Sequence, residues 1–142
     1  MEKRKLCATA TPYALDQNPI WIRIAAMVEE VIPVLRVKDA AVAIEWYRRL
    51  GFIEEWVHRF EPDFPAFVSI ARGKLRLFLS EHEGDARPET LVYMLVEDVS
   101  GIAREFEAPI EEEPWAHEVK LTDPDGNRLR IGAPWKEERK SA

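Results

Sequence analysis

The sequence is poor in the residues that build covalent or metal-bound scaffolds. In 142 residues it has one cysteine, Cys7, and three histidines, His58, His82 and His117. A single cysteine excludes an intrachain disulfide and a thiolate metal cluster, and it suits a reducing cytoplasm. The histidines show no His-x-x-x-His or similar spacing, so each reads as a structural residue rather than a ligand. Ser69, Ser80 and Cys7 have no base partner evident in the sequence, and no nucleophile is expected. Long apolar runs are missing too, and no segment reaches membrane-spanning length. The opening MEKRKLCATATPYALD imitates a secretory leader for a few residues, but Pro12 and Asp16 interrupt it. The expectation is a cytoplasmic protein.

Positive charge is scarce in the body of the chain. The net charge is −6, yet residues 28–134 hold 13 Lys and Arg against 22 Asp and Glu, a net of −9, while both ends are mildly basic. Such a body repels phosphates and disfavours a nucleic-acid partner. It suits a cationic ligand, or simply solubility.

What the sequence does contain is one pattern used twice. VLRVKDAAVAIEWY begins at Val34 and YMLVEDVSGIAREF begins at Tyr93, an offset of 59 residues. Val37 matches Val96, Asp39 matches Asp98, and Tyr47 matches Phe106. Each copy opens with a short apolar strand. An aspartate suited to capping a helix follows, because its carboxylate can accept the first free backbone N–H groups. Each helix then repeats one apolar stripe: Ala40, Ala43, Ile44, Tyr47 in the first, Val99, Ile102, Ala103, Phe106 in the second. Trp46 and Tyr47 are expected to pack rather than bind.

Short β-like segments come next: GFIEEWVHRF, AFVSIA and KLRLFLS, then APIEE, AHEVKLT and NRLRIG. The polar EHEGDARPE joins the copies. The fold class is therefore α+β, two βαβββ modules whose halves must pair, since neither buries its sheet alone. The expected layout is an extension over 1–27 and a domain over 28–134, with a tail over 135–142. Within the domain, module 1 is 28–84, the linker 85–90, and module 2 91–134.

The words VIPVLRVKDAAVAIEWYRRLGF and LTDPDGNRLRI, in this order and separation, resemble the vicinal-oxygen-chelate superfamily. That group includes glyoxalase I, extradiol dioxygenases and bleomycin resistance proteins. The resemblance spans about 28–134 and implies curved mixed sheets. Gly51 and Gly126 have their own physical warrant, a helix exit and a tight turn that favour positive φ.

The superfamily's enzymes hold a divalent metal by His and Glu, and the resemblance carries those four positions onto Ile32, Phe78, Leu91 and Arg130. None suits a cation, and a guanidinium repels one. No cofactor or metal is expected, and the reading leans away from an enzyme. The resemblance is nearest to the bleomycin resistance proteins. It implies a proline in the first strand, Pro33 here, linked to strand or arm exchange between subunits, and a loop like PWAHE, in which Ala116 departs from the usual glycine. It further implies a homodimer with a groove at each interface that sequesters one cationic glycopeptide antibiotic.

Candidate ligand-binding residues are Trp115, Phe64, Phe60, Phe67 and Trp56 for stacking, Asp63 and Glu113 for positive groups, and Arg130 in the last strand. Glu111 and Glu112 extend the acidic run beside Trp115. Trp56 divides evenly between core and groove, and Trp115 with Phe64 is the preferred pair. Arg130 needs a counter-ion if buried, and two are open to it: Glu118 or an acidic ligand. Two other readings stand beside sequestration: an enzyme of the same superfamily with an unrecognised site, and a binding protein for a different small molecule.

Overall fold

A computed structural model describes residues 29–136. The expectations for residues 1–28 and 137–142 lie outside the described residues. Strand β1 (Val34–Arg36) leads into helix α1 (Ala40–Arg49), then β2 (Ile53–His58), β3 (Phe67–Arg72) and β4 (Leu75–Ser80). The second copy runs β5 (Leu91–Leu95), α2 (Ser100–Phe106), β6 (Glu111–Glu113), β7 (Ala116–Thr122) and β8 (Arg128–Pro134). The strands form two four-stranded sheets, ordered β1-β4-β3-β2 and β5-β8-β7-β6. In each sheet the first strand pairs parallel with the last and the other neighbours are antiparallel. The fold is α+β, as the doubled pattern predicts.

Local chemistry explains the elements. Asp39 caps α1, its carboxylate accepting from Ala41 N at 3.0 Å and Val42 N at 3.4 Å. The stripe Ala40, Ala43, Ile44, Tyr47 is buried. The helix ends at Leu50, and Gly51 follows at φ +98°, a conformation that favours glycine. The second helix departs from expectation in one detail. Its N-cap is Val99, which gives no side-chain cap, because the helix starts one residue later relative to its aspartate. Asp98 instead accepts from Ser100 N at 3.1 Å, a turn-type contact two residues on.

Two strand limits also shift. APIEE was expected to be extended from Ala108, but β6 comprises the acidic triple Glu111–Glu113. Pro109 lacks the N–H a ladder needs, and the two-residue turn Pro114–Trp115 sets the pairing of Glu113 with Ala116. Pro33 lies just before β1 rather than inside it. β1 is an edge strand, where a missing donor does no harm, and the Pro33 carbonyl accepts from Phe78 N at 2.9 Å.

One apolar cluster joins both copies. It runs from Leu35, Tyr47, Phe52 and Leu79 to Met94, Val119, Leu129 and Ile131. Each such fully buried side chain contributes about 1.5–3 kcal/mol relative to exposure. Trp46 stacks at an angle on Phe106 across the copies, with centroids 5.1 Å apart.

The DPDGN turn forms the polar part of this seam. Asp123 is buried; its Oδ1 accepts from Asp125 N and Asn127 N, at 2.8 and 2.9 Å. Its Oδ2 accepts from the Tyr47 hydroxyl at 2.8 Å and Asn127 Nδ2 at 3.0 Å. Asn127 Nδ2 also reaches the Arg36 carbonyl, and Asp125 accepts from Lys38 N. Gly126, at φ +85°, makes the turn. Burial first, and the Asp123 charge second, push the Tyr47 phenol far above its ordinary value, so it remains a donor across the working pH range. Among the described residues no helix is long and apolar enough to cross a membrane.

Candidate functional site

Each sheet turns one face to the apolar cluster and leaves the other open. Alternation along strands, with the observed register, decides which side chains share the open face. In module 1 one row runs Val34, Phe78, Ser69, Trp56 and the next runs Arg36, Ser80, Phe67, His58. In module 2 the rows are Leu91, Arg128, Thr122; then Tyr93, Arg130, Lys120; then Leu95, Gly132, Glu118, Glu111.

The module 1 face is aromatic. Trp56 stacks near-parallel on Phe67, with centroids 6.0 Å apart, and tilts onto Phe78 at 5.4 Å; Phe67 and Phe78 meet at 5.1 Å. A register shift between Glu54 and Trp56 inserts Glu55 as an extra residue. The bulge turns Glu55 to the same face, where it accepts from Ser69 Oγ at 2.6 Å and Arg76 Nε at 2.8 Å. Trp56 therefore belongs to the open face, and at 40% exposure it is half covered by its own neighbours.

The module 2 face is polar and built around one carboxylate. Glu118 is fully covered. Its Oε2 accepts from the Tyr93 hydroxyl at 2.6 Å and Trp115 Nε1 at 2.7 Å. Arg130 donates to both oxygens, with Nε and Nη2 at 3.1 and 2.8 Å from Oε1 and Nη2 at 3.1 Å from Oε2. Glu118, the nearer of the two expected counter-ions, thus pairs Arg130. Tyr93 and Trp115 stand over the guanidinium, 5.3 and 6.0 Å from its carbon to their ring centres.

Burial pushes the Glu118 carboxyl up, but hydrogen bonds from Tyr93, Arg130 and Trp115 outweigh it and hold the group below its ordinary value. The bond to Glu118 pushes Arg130 further up, while desolvation and then the bond to Glu118 push the Tyr93 phenol up.

Gly132 makes room for this arrangement. A Cβ there would overlap the Tyr93 hydroxyl and come within 3.2 Å of its Cζ and 3.3 Å of the Ala116 methyl. The residue is glycine because an aromatic ring crosses the sheet above it.

The other expected residues scatter. Phe60 and Phe64 lie in the loop between β2 and β3, at 71% and 47% exposure. Phe60 sits edge-on to His58 at 4.7 Å. The Phe64 carbonyl accepts from Arg59 Nη1 at 2.7 Å. Asp63 is exposed in the same loop. Trp115 and Phe64 belong to different modules, and among the described residues no ring contact joins them. The Glu113 carbonyl accepts from Trp135 Nε1 at 2.9 Å, and Glu111 pairs with Lys120 at 3.0 Å.

Sequence reasoning did not single out Tyr93. Its signal was available: Tyr93 opens the second copy where Val34 opens the first, a polar aromatic in an apolar position.

The superfamily's metal does not fit these residues. Phe78 is packed between two aromatic rings, Leu91 offers no lone pair, and Ile32 offers none either. Arg130 carries a fixed positive charge at the matching position, and it engages both oxygens of Glu118. Among the described residues, no three His, Cys, Asp or Glu converge as a metal site would require.

Comparison with known proteins matches this geometry to one fold. A bleomycin-binding protein solved with bleomycin superposes with a TM-score of 0.61 at 20% identity, over 76% of this chain and 100% of that one. The bleomycin-binding protein of the bleomycin producer Streptomyces verticillus, solved with copper(II)-bleomycin, gives 0.57 at 26% identity, over 77% and 100%. TnmS3, an antibiotic-binding protein from Streptomyces sp. CB03234, gives 0.58 at 18% identity, over 77% and 99%. No curated protein matches the chain in sequence. The family described as "Glyoxalase superfamily protein" matches residues 21–138. That match takes in both modules and the seam between them, and the chain belongs to the glyoxalase superfamily.

Proposed function

We propose that this protein binds and sequesters a bulky antibiotic-like small molecule without catalysis, with a bleomycin-type glycopeptide as the first ligand to test. The carrying observation is the replacement at Arg130. Where a metalloenzyme of this fold needs a ligand, the chain has a guanidinium locked onto Glu118 and flanked by Tyr93 and Trp115. The similarity to two bleomycin-binding proteins and an antibiotic-binding protein supports the same reading.

The binding unit is a homodimer in this proposal. Leu91, Tyr93 and Leu95 line up along the open face of β5, each 41–57% exposed. β2 leaves Trp56 and Val57 partly bare as well. A second copy would cover these apolar strips and complete a groove walled by an aromatic and a polar face. Residues 28–134 act as one domain in this arrangement, and the setting is the cytoplasm.

Calorimetric titration with bleomycin, with and without Cu(II), tests the reading. Micromolar or tighter binding at two sites per dimer is expected. Absence of heat at several temperatures, with no protection against thermal unfolding, overturns it. One equivalent of tightly held Ni, Zn, Mn or Fe in protein purified without refolding would overturn the non-catalytic part.

A further inference from the structure

We infer that the ligand group held on the module 2 face is a flat aromatic system carrying an uncharged or anionic hydrogen-bond acceptor, rather than a polycation. This rests on the binding role proposed above and narrows the ligand class. The acidic surplus of the chain invites the opposite expectation, but the surplus lies away from the open faces.

On the strands of the two open faces the carboxylates are Glu55, Glu111, Glu113 and Glu118. Three of them already have a cation: Glu55 has Arg76, Glu111 has Lys120, and Glu118 has Arg130. Arg36 and Arg128 share these faces as well. Asp85 adds a carboxylate, accepting from Ser80 Oγ at 2.6 Å, so five cations stand with five carboxylates, and a positive ligand tail would meet no carboxylate surplus.

Arg130 supplies the complementary feature. Nε and Nη2 are committed to Glu118, while Nη1 takes no hydrogen-bond partner among the described residues. The side chain is 33% exposed, and in this inference the Nη1 edge of the fork is the one that meets the ligand. A guanidinium edge with fixed orientation favours a carbonyl, ring nitrogen or carboxylate acceptor. Tyr93 and Trp115 flank it with ring faces for a planar group.

A matched set of probes isolates charge from shape: pyrene-1-carboxylate, 1-pyrenemethanol and 1-pyrenemethylammonium, each titrated into the full-length protein. Binding is read by tryptophan quenching and pyrene anisotropy, with bleomycin in parallel. The carboxylate and the alcohol are expected to bind at least about tenfold tighter than the ammonium. The double variant E118Q/R130Q, which removes both charges together, is expected to abolish the preference for the carboxylate and the alcohol over the ammonium. The wild-type comparison stands without any variant, should the double variant fail to fold. Ammonium binding equal to or tighter than carboxylate binding overturns the inference. Binding of bleomycin alone overturns it too but leaves the sequestration reading intact. If neither bleomycin nor any pyrene binds, both fall.

Discussion

The two open faces use equivalent backbone positions for opposite chemistry. Val34 and Tyr93 begin the two copies, and each stands beside a residue of its last strand, Phe78 and Arg130. One rung along, Phe67 beside Ser80 corresponds to Glu118 beside Gly132. Module 1 thus has Val, Phe and Phe where module 2 has Tyr, Arg and Glu. The inner faces did not diverge in this way: Leu35 and Met94 are both buried and apolar. Packing constrains the inner face of both copies to one solution. The outer faces are free to differ, and a groove lined by one of each offers stacking on one wall and directional hydrogen bonds on the other.

The largest expected effect comes from blocking the polar wall at its narrowest point. Gly132→Val would drive methyl groups into the Tyr93 ring and detach it from Glu118. A destabilisation of about 3 kcal/mol is expected in urea unfolding, the upper end for overpacking, together with loss of the near-UV signal of Tyr93 and Trp115. On the aromatic wall, Phe78→Ala should cost about 2 kcal/mol. That is less than a full core truncation, because Phe78 is only half-buried. It should leave the Arg130–Glu118 pair unaffected, as judged by the acid titration described next.

That titration separates the walls by pH. Glu118 has a carboxyl held below its ordinary value of about 4.3. A depressed carboxylate adds stability that is fully present above the unfolded-state value and disappears as pH falls through the lower folded-state value. Trp115 fluorescence should therefore be flat from pH 8 down through the ordinary carboxylate range and change only below it. Glu118→Gln should remove that change, while Phe78→Ala should not. A midpoint near neutrality would contradict the depressed carboxylate. The smallest effect on stability is expected for Trp115→Phe, about 1 kcal/mol: the residue is 55% exposed in a turn, but the change removes the Nε1 donor to Glu118. Its effect on ligand binding should be much larger, and equal small effects on both would remove Trp115 from the groove.

The parts legible in the sequence were those with local signals. The capping Asp39, the stripe ending at Tyr47, Gly51 and the DPDGN turn all act within a few residues of themselves, and the structure places each as its chemistry requires. The cap at Asp98 was less legible, because the start of a seven-residue helix is decided by packing as much as by its flanking aspartate.

The Glu118 cluster was harder to see for a different reason. In AHEVKLT the glutamate alternates with apolar residues as any solvent-facing residue would. Only the register of β5 on β8 and β8 on β7 brings Tyr93 and Arg130 to it. Net charge says little about the faces for the same reason. A net of −9 over the body is an average, while Glu55 and Glu118 on the open faces are each paired with an arginine across the strands.

The seam at DPDGN has a consequence for how the chain comes to be folded. Tyr47 and Asp123 are 76 residues apart, and Arg36 and Asn127 are 91 apart. On a ribosome the first module is complete well before Asp123 is made. Until then the Tyr47 hydroxyl and the Arg36 carbonyl have no partner in the second module, and the apolar back of the first sheet lacks its cover. The nascent half is therefore most exposed to wrong partners during synthesis of the second half. Closing the DPDGN turn ends that interval, since it supplies those partners and brings the second copy onto the first.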